Sequence, residues 1–190
     1  MKTLIRNGTI ITASDTLKAD ILIEGEKIQA IGQSFLTENL DEIIDAEGKL
    51  IMPGGVDVHT HLELPMFGTV SSDDHYTGHK AAAFGGTTTV LDFVSQDADS
   101  LEECVRLWHE KADHKAAVDY SFHMNISKFD ESIAEQIPHL RELGINSVKV
   151  FTAYNNRLRL GDGDIFKVMR IAKGNGMLVL VHCENGDVID

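Results

Sequence analysis

Two histidines one residue apart, His59 and His61, close the stretch PGGVDVHTH at residues 53–61. An apolar run, Leu50-Ile51-Met52, leads into it, and Val56 and Val58 alternate with polar residues after Pro53-Gly54-Gly55. On a strand, residues two apart face the same side, so both imidazoles point one way. Neutral imidazole is the commonest ligand for zinc-like ions. Two such ligands on one rigid strand fix part of a coordination shell before an ion arrives. His59 and His61 are therefore candidate metal ligands; the plainer alternative is two polar residues at a strand exit.

Lys149 sits inside Val148-Lys149-Val150-Phe151, where a long cation is usually excluded. It either reaches outward at a strand edge or is desolvated. Desolvation lowers a lysine's pKa and exposes a nucleophilic neutral amine. Such an amine can add carbon dioxide as a carbamate, an anion whose two oxygens can bridge two metal ions. His182 closes the apolar run 177–181 and precedes Cys183-Glu184-Asn185; by itself it is a ligand or a hydrogen-bonded core residue. Tyr154 offers a phenol near a strand end, for chemistry, for packing or as a cap. Asp92 is an inward-facing candidate with no assigned role. His75, His79, His109, His114, His123 and His139 are scattered, most of them on predicted helices. Cys104 reads as helix core, and Cys183 alternates to the face opposite His182.

The elements that must position these residues follow from periodicity and punctuation. Residues 1–52 read as a small antiparallel sheet of short strands, with hairpin turns at Asn7-Gly8, Glu24-Gly25-Glu26 and Ala46-Glu47-Gly48. After residue 55 the pattern alternates. Strands are predicted at 56–61, 87–94, 118–124, 147–151 and 177–182. Helices are predicted at 74–84, from a cap at Asp99-Ser100 to about 115, at 131–143 and at 165–173. Alternation of this kind implies a parallel sheet with helical crossovers, either doubly wound or part of an eight-stranded barrel. No GxGxxG follows the first strand, which disfavours a dinucleotide fold. Five strands cannot close an eight-stranded barrel, so the chain reads as the N-terminal part of a longer protein. In a barrel, the strand ends bearing His59, His61, Lys149 and His182 would share one rim.

Composition sets outer bounds. The chain has 190 residues, 43% of them hydrophobic, and 30 acidic against 17 basic residues give a formal charge of −13. That balance repels phosphate backbones and argues against nucleic-acid partners. Two cysteines without a CxxC do not make a disulfide framework. No signal-peptide core or membrane-length apolar run is present. A soluble cytoplasmic protein without membrane contact is expected.

Four ordered stretches, PGGVDVHTH, AAFGGTTTVLDF, SVKVFTAYNN and VHCENGDVID, together resemble the cyclic amidohydrolases, and within them the D-hydantoinase/dihydropyrimidinase family. The resemblance covers the whole chain. It implies an α/β fold: the N-terminal portion of a (β/α)8 TIM barrel (residues 53–190), preceded by half of a small β-sandwich (1–52). It implies two divalent ions, usually zinc, with His59 and His61 on the first, His182 on the second, and Lys149 bridging both as its carbon dioxide carbamate. Tyr154 would hydrogen-bond the developing oxyanion, and Leu64 and Phe67 fall in a loop lining the substrate pocket. The implied reaction opens a dihydropyrimidine or 5-substituted hydantoin ring to an N-carbamoyl amino acid. The small cyclic amide or ureide is the partner, and a homo-oligomer, tetramer or dimer, is the usual assembly. The family's remaining metal-binding histidine and its proton-shuttling aspartate lie beyond the fifth barrel strand, where this chain stops, so the 190 residues by themselves are expected to be incomplete.

Rival readings differ at named residues. Dihydroorotase typically continues HxH with an arginine that pairs a carboxylate; here Leu62-Glu63 follows His61. Allantoinase shares the metal motif, and FTAYNN sides with hydantoinase. A non-catalytic scaffold of the same fold loses metal ligands that this chain keeps, and an inert truncation is the remaining alternative.

Overall fold

The computed structural model describes residues 1–66 and 68–189. The chain divides into two compact units, Met1–Gly54 and Gly55–Asp190. The first holds seven short strands: β1 (Lys2–Arg6), β2 (Thr9–Ile11), β3 (Thr16–Lys18), β4 (Asp20–Glu24), β5 (Lys27–Gly32), β6 (Glu42–Asp45) and β7 (Leu50–Ile51). They form two sheets, ordered β5-β4-β1-β6 and β3-β2-β7. Of the three hairpins expected, only the β4–β5 turn pairs its flanking strands, with Gly25 at φ 62° supplying the left-handed corner.

At Asn7 (φ 65°) the chain changes sheets instead. β1 pairs β6, and β2 pairs β7, both in parallel. The physical reason is burial. Ile10, Ala19 and Ile21 make a small core with Ile5, Ile23 and Ile51, and strands of both sheets contribute to it. A β1–β2 hairpin would leave those isoleucines without a second layer.

The second unit is a parallel sheet covered by helices. Its strands are β8 (Gly55–Thr60), β11 (Thr87–Val94), β12 (Asp119–Asn125), β13 (Ser147–Phe151) and β14 (Leu178–His182), hydrogen-bonded in that order. A small hairpin, β9 (Pro65–Met66) and β10 (Thr69–Val70), follows β8. The helices are α1 (His75–Phe84), α2 (Leu101–Ala112), α3 (Glu131–Gln136), α4 (Asp162–Gly174) and the short α5 (Gly186–Ile189).

Each of the first three helices starts at a side-chain cap. Asp74 and Thr77 form a capping box, and Ser100 and Asp130 each accept the backbone N–H three residues on. On α2, Leu101, Cys104, Val105, Trp108 and Ala112 are buried at helical spacing. The helix expected over 131–143 stops being α at Gln136 and continues as a 3₁₀ turn over Ile137–Arg141, because Pro138 has no N–H to donate. α4 begins at Asp162, earlier than expected, with Asp162 and Asp164 in its positive first turn. One apolar cluster joins the sheet's helix-facing side to the helices, through Val94, Phe122, Met124, Val148 and Val150 against Val105, Trp108, Ile137 and Val168. Among the described residues no helix is long and apolar enough to cross a membrane.

Candidate metal centre

Alternation along the strands sorts side chains onto two faces. Val148 and Val150 face the helices, so Ser147, Lys149 and Phe151 face the other way. Phe93 pairs His123 in register, and Phe151 pairs His182. That second face therefore gathers residues from all five parallel strands.

Phe93 is its floor. The ring lies 4.6 Å from the His59 ring, 5.0 Å from His61 and 4.8 Å from His123. The Lys149 Nζ stands 4.3 Å from the same ring and 5.2 Å from Phe151. His59 and His61 meet edge to face at 5.1 Å. The structure thus brings His59, His61 and Lys149 together around one aromatic ring. Lys149 is buried, 6% exposed, and among the described residues no carboxylate lies within ion-pair reach of it. Burial lowers its pKa.

Both histidines are pushed towards the neutral form. Partial desolvation, then the neighbouring His59 and Lys149 charges, bring His61 down to about 4, although one edge stays open to solvent. Desolvation, then Lys149 and His182 opposed by Asp57, lower His59. Neutral imidazoles keep a lone pair free at physiological pH.

His123 was not singled out from sequence, yet it helps build the site. The Val58 carbonyl can only accept, so Nε2 carries the hydrogen and donates to it over 3.0 Å. Nδ1 then accepts from the Ser147 hydroxyl. His123 so ties β12 to β8 and β13 underneath the candidate ligands. Its strand-internal position opposite Phe93 was the only available signal.

His182 lies apart from the first pair. Its ring is 5.7 Å from Phe151 and 5.1 Å from Tyr154, and its Nε2 contacts the Glu184 carboxylate. Among the described residues no three His, Cys, Asp or Glu side chains are arranged to hold an ion. Tyr154 holds a left-handed backbone, φ 65°, which costs a non-glycine residue about 1–2 kcal/mol. Its carbonyl accepts three amides, from Arg157, Leu158 and Arg159, at 3.1, 3.0 and 3.2 Å.

The segment after β14 locks that turn. The Thr152 N–H donates to the His182 carbonyl at 3.0 Å, and the Asn155 amide donates to the Gly186 carbonyl at 2.9 Å. A Cβ on Gly186 would fall 2.9 Å from the Thr152 carbonyl oxygen, so only glycine lets the two loops touch. Leu64 packs against the helix-side core and donates its amide to Ser71 at 2.9 Å. Phe67 lies outside the described residues. Cys104 is buried in that core, and Cys183 is exposed past the end of β14.

Asp92 corrects the inward reading. It is buried, 2% exposed, and faces α1, on the side opposite Phe93. Its Oδ2 stands 4.0 Å from Nε2 of His75, and Nδ1 of His75 contacts Nε2 of His79 at 3.4 Å. Burial raises Asp92 to about 6, against the Leu62 and Phe93 amides and Lys111, which pull it down. Burial also lowers His75 to about 4, helped by His79, Lys115 and Lys111 and opposed by Glu63.

The two shifts act on stability with opposite signs. Between about 4 and 6.5, unfolded His75 binds more protons than folded His75, so its contribution rises with pH and is lost on acidification. Between 3.8 and about 6, folded Asp92 binds more protons than unfolded Asp92, so its contribution falls as pH rises. The windows nearly coincide and cancel. Asp92→Asn is expected to remove one arm, so stability should fall more steeply than in wild type from pH 6.5 to pH 4. Chemical-denaturation midpoints across that range test this; parallel profiles for the two proteins would refute it. The other buried histidines are common to both and drop out of the comparison.

Relatives share this architecture. A model of the amidohydrolase family matches residues 50–189. The D-hydantoinase of Geobacillus stearothermophilus is 47% identical over 192 residues, covering 100% of this chain and 41% of the relative. The dihydropyrimidinase of Rattus norvegicus is 37% identical over 192 residues, covering 98% of this chain and 37% of the relative. The crystal structure of dihydropyrimidinase from Brevibacillus agri NCHU1002 superposes with a TM-score of 0.95 at 49% identity, over 99% of this chain and 41% of that one. The chain thus spans about two fifths of the length of these relatives, and its parallel sheet is part of the barrel fold of the hydantoinase structures. With the match running through all five barrel strands, the chain belongs to the amidohydrolase family, and its homologues include D-hydantoinases and dihydropyrimidinases.

Proposed function

We propose that this chain supplies half of the active site of a metal-dependent cyclic amidase, which opens the ring amide of a 5-substituted hydantoin or a dihydropyrimidine. The observation that carries the reading is the meeting of His59, His61 and the buried Lys149 over Phe93. That donor set fits divalent ions of the zinc type. His59 and His61 would hold one ion, His182 a second, and Lys149, as its carbamate, would join them. Two such ions supply Lewis acidity that ionises a water near neutral pH and polarises the scissile carbonyl.

The chain's own residues do the rest. The Tyr154 hydroxyl donates to the carbonyl oxygen as it gains charge. His123 and Phe93 hold the ligands in place and keep one side of the site dry. Leu64 and Phe67 belong to the loop proposed to set which ring substituent fits. A homo-oligomer, dimer or tetramer, in the cytoplasm accompanies this reading by family resemblance.

The test is elemental analysis of the full-length protein purified from its source without chelator, followed by a hydantoin or dihydrouracil ring-opening assay. About two ions per chain and ring opening are expected. A metal content near zero with both rings left intact would overturn the proposal.

A further inference from the structure

The ladder between β8 and β11 fails just where the candidate ligands begin. Pairing runs to Thr60 opposite Asp92, with an irregularity between Val90 and Asp92. His61 lies past the last paired residue, yet its neighbour is held firmly. The Leu62 N–H donates to Oδ2 of Asp92 at 2.8 Å. The other oxygen, Oδ1, accepts from the Phe93 N–H at 2.6 Å. One buried carboxylate thus holds both the residue that follows His61 and the backbone of the aromatic floor beneath it.

The Leu62 side chain, 8% exposed, is pinned from the other end. A Cβ on Gly78 of α1 would meet its Cδ2 at 2.4 Å, Cδ1 at 3.1 Å and Cγ at 3.3 Å. Behind Asp92 stands His75, 1% exposed. Among the described residues its Nε2 has no hydrogen-bond partner, and it faces the carboxylate at 4.0 Å. Its Nδ1 is taken up by His79. The two imidazole nitrogens therefore point to different neighbours, which makes a chain of contacts and not a chelate.

We propose that Asp92, braced by His75 and by the seating of Leu62 on Gly78, is a positioning residue for His61. It replaces the missing strand partner and sets the imidazole's place relative to His59 and Lys149 without touching ion or substrate. This rests on the reading of His59 and His61 as metal ligands. A two-acceptor group is essential. Asparagine offers one acceptor and one donor, so it must lose either the Leu62 or the Phe93 amide.

The experiment is Zn²⁺ affinity by chelator competition, with the visible spectrum of the Co²⁺-substituted form, on the full-length protein. Asp92→Asn and Gly78→Ala reach Leu62 from opposite sides. Each is expected to weaken Zn²⁺ binding by about 10- to 100-fold and to alter the Co²⁺ spectrum. Val168→Ala, on α4 in the core between sheet and helices, should lose stability while keeping wild-type affinity and spectrum. Wild-type affinity and spectrum in both Asp92→Asn and Gly78→Ala would overturn the positioning role alone. An equal loss of affinity in Val168→Ala would overturn it too, by showing general softening. A wild-type protein that binds no Zn²⁺ would overturn the metal reading and this proposal with it.

Discussion

Lys149→Ala is expected to lower ring-opening activity of the full-length protein by on the order of 10³-fold or more, the equivalent of several kcal/mol of lost transition-state stabilisation. It should also leave fewer than two ions per chain. The expectation follows from the residue's surroundings. Its Nζ has aromatic faces at 4.3 and 5.2 Å, and burial lowers its pKa. Among the described residues it has no ion pair for the substitution to break, so the loss would report on what the amine becomes. Acetate, small enough to enter the space left behind, should restore part of the activity. Lys149→Arg keeps a cation but stays protonated and cannot take up carbon dioxide; it should resemble the alanine variant. An alanine variant that holds two ions and works without additive would refute the carbamate.

Tyr154→Phe is expected to reduce kcat by about 10²- to 10³-fold with little change in KM, the usual loss for one oxyanion donor. The substitution removes a hydroxyl and keeps the ring, so contacts with His182 at 5.1 Å and Phe151 at 6.1 Å survive. The left-handed turn is held by the Tyr154 carbonyl and by the Asn155–Gly186 bond, neither of which uses the phenol. Metal content should therefore stay at the wild-type value. A rise in KM alone, with kcat preserved, would make Tyr154 a binding residue and not an oxyanion donor.

Much of the second unit was legible because its signals are local. Asp74, Ser100 and Asp130 cap their helices through their own side chains, and the β-rich runs at 87–94 and 147–151 match the observed strands to the residue. The parallel order of the sheet followed from the alternation of strand and helix. The first unit was harder. Asn7-Gly8 carries a hairpin signature, but partner choice depends on which isoleucines bury against which, a non-local matter that a turn motif does not encode.

At the site, HxH and a lysine flanked by valines were visible as residue types. Phe93 and His123 were not, and Asp92 was visible only as an inward-facing residue without a role, because their significance lies in what stands beside them in space. A phenylalanine in a strand is ordinary until four polar groups share its ring. His75 and His79 fell on a predicted helix without a role because their partner, Asp92, comes from a different element. Leu64 shows the reverse: proximity to a functional motif in sequence did not place its side chain with the histidines, since the turn after β8 directs it to the core.

The aromatic floor also acts on the charge of Lys149. Contact between an ammonium and ring faces favours the cation by about 0.5–2 kcal/mol, and Phe93 offers such a face to Lys149. In the proposed carbamate, uptake of carbon dioxide would turn the amine into an anion, its protons passing to solvent, and forfeit the attraction. Burial opposes that attraction by lowering the lysine's pKa; with the proposed carbamate joining the ions, divalent ions and carbon dioxide would be mutual effectors. By whatever factor the dissolved gas tightens metal binding, the metal must tighten uptake of the gas. Gas tension would then regulate how much of the protein is loaded.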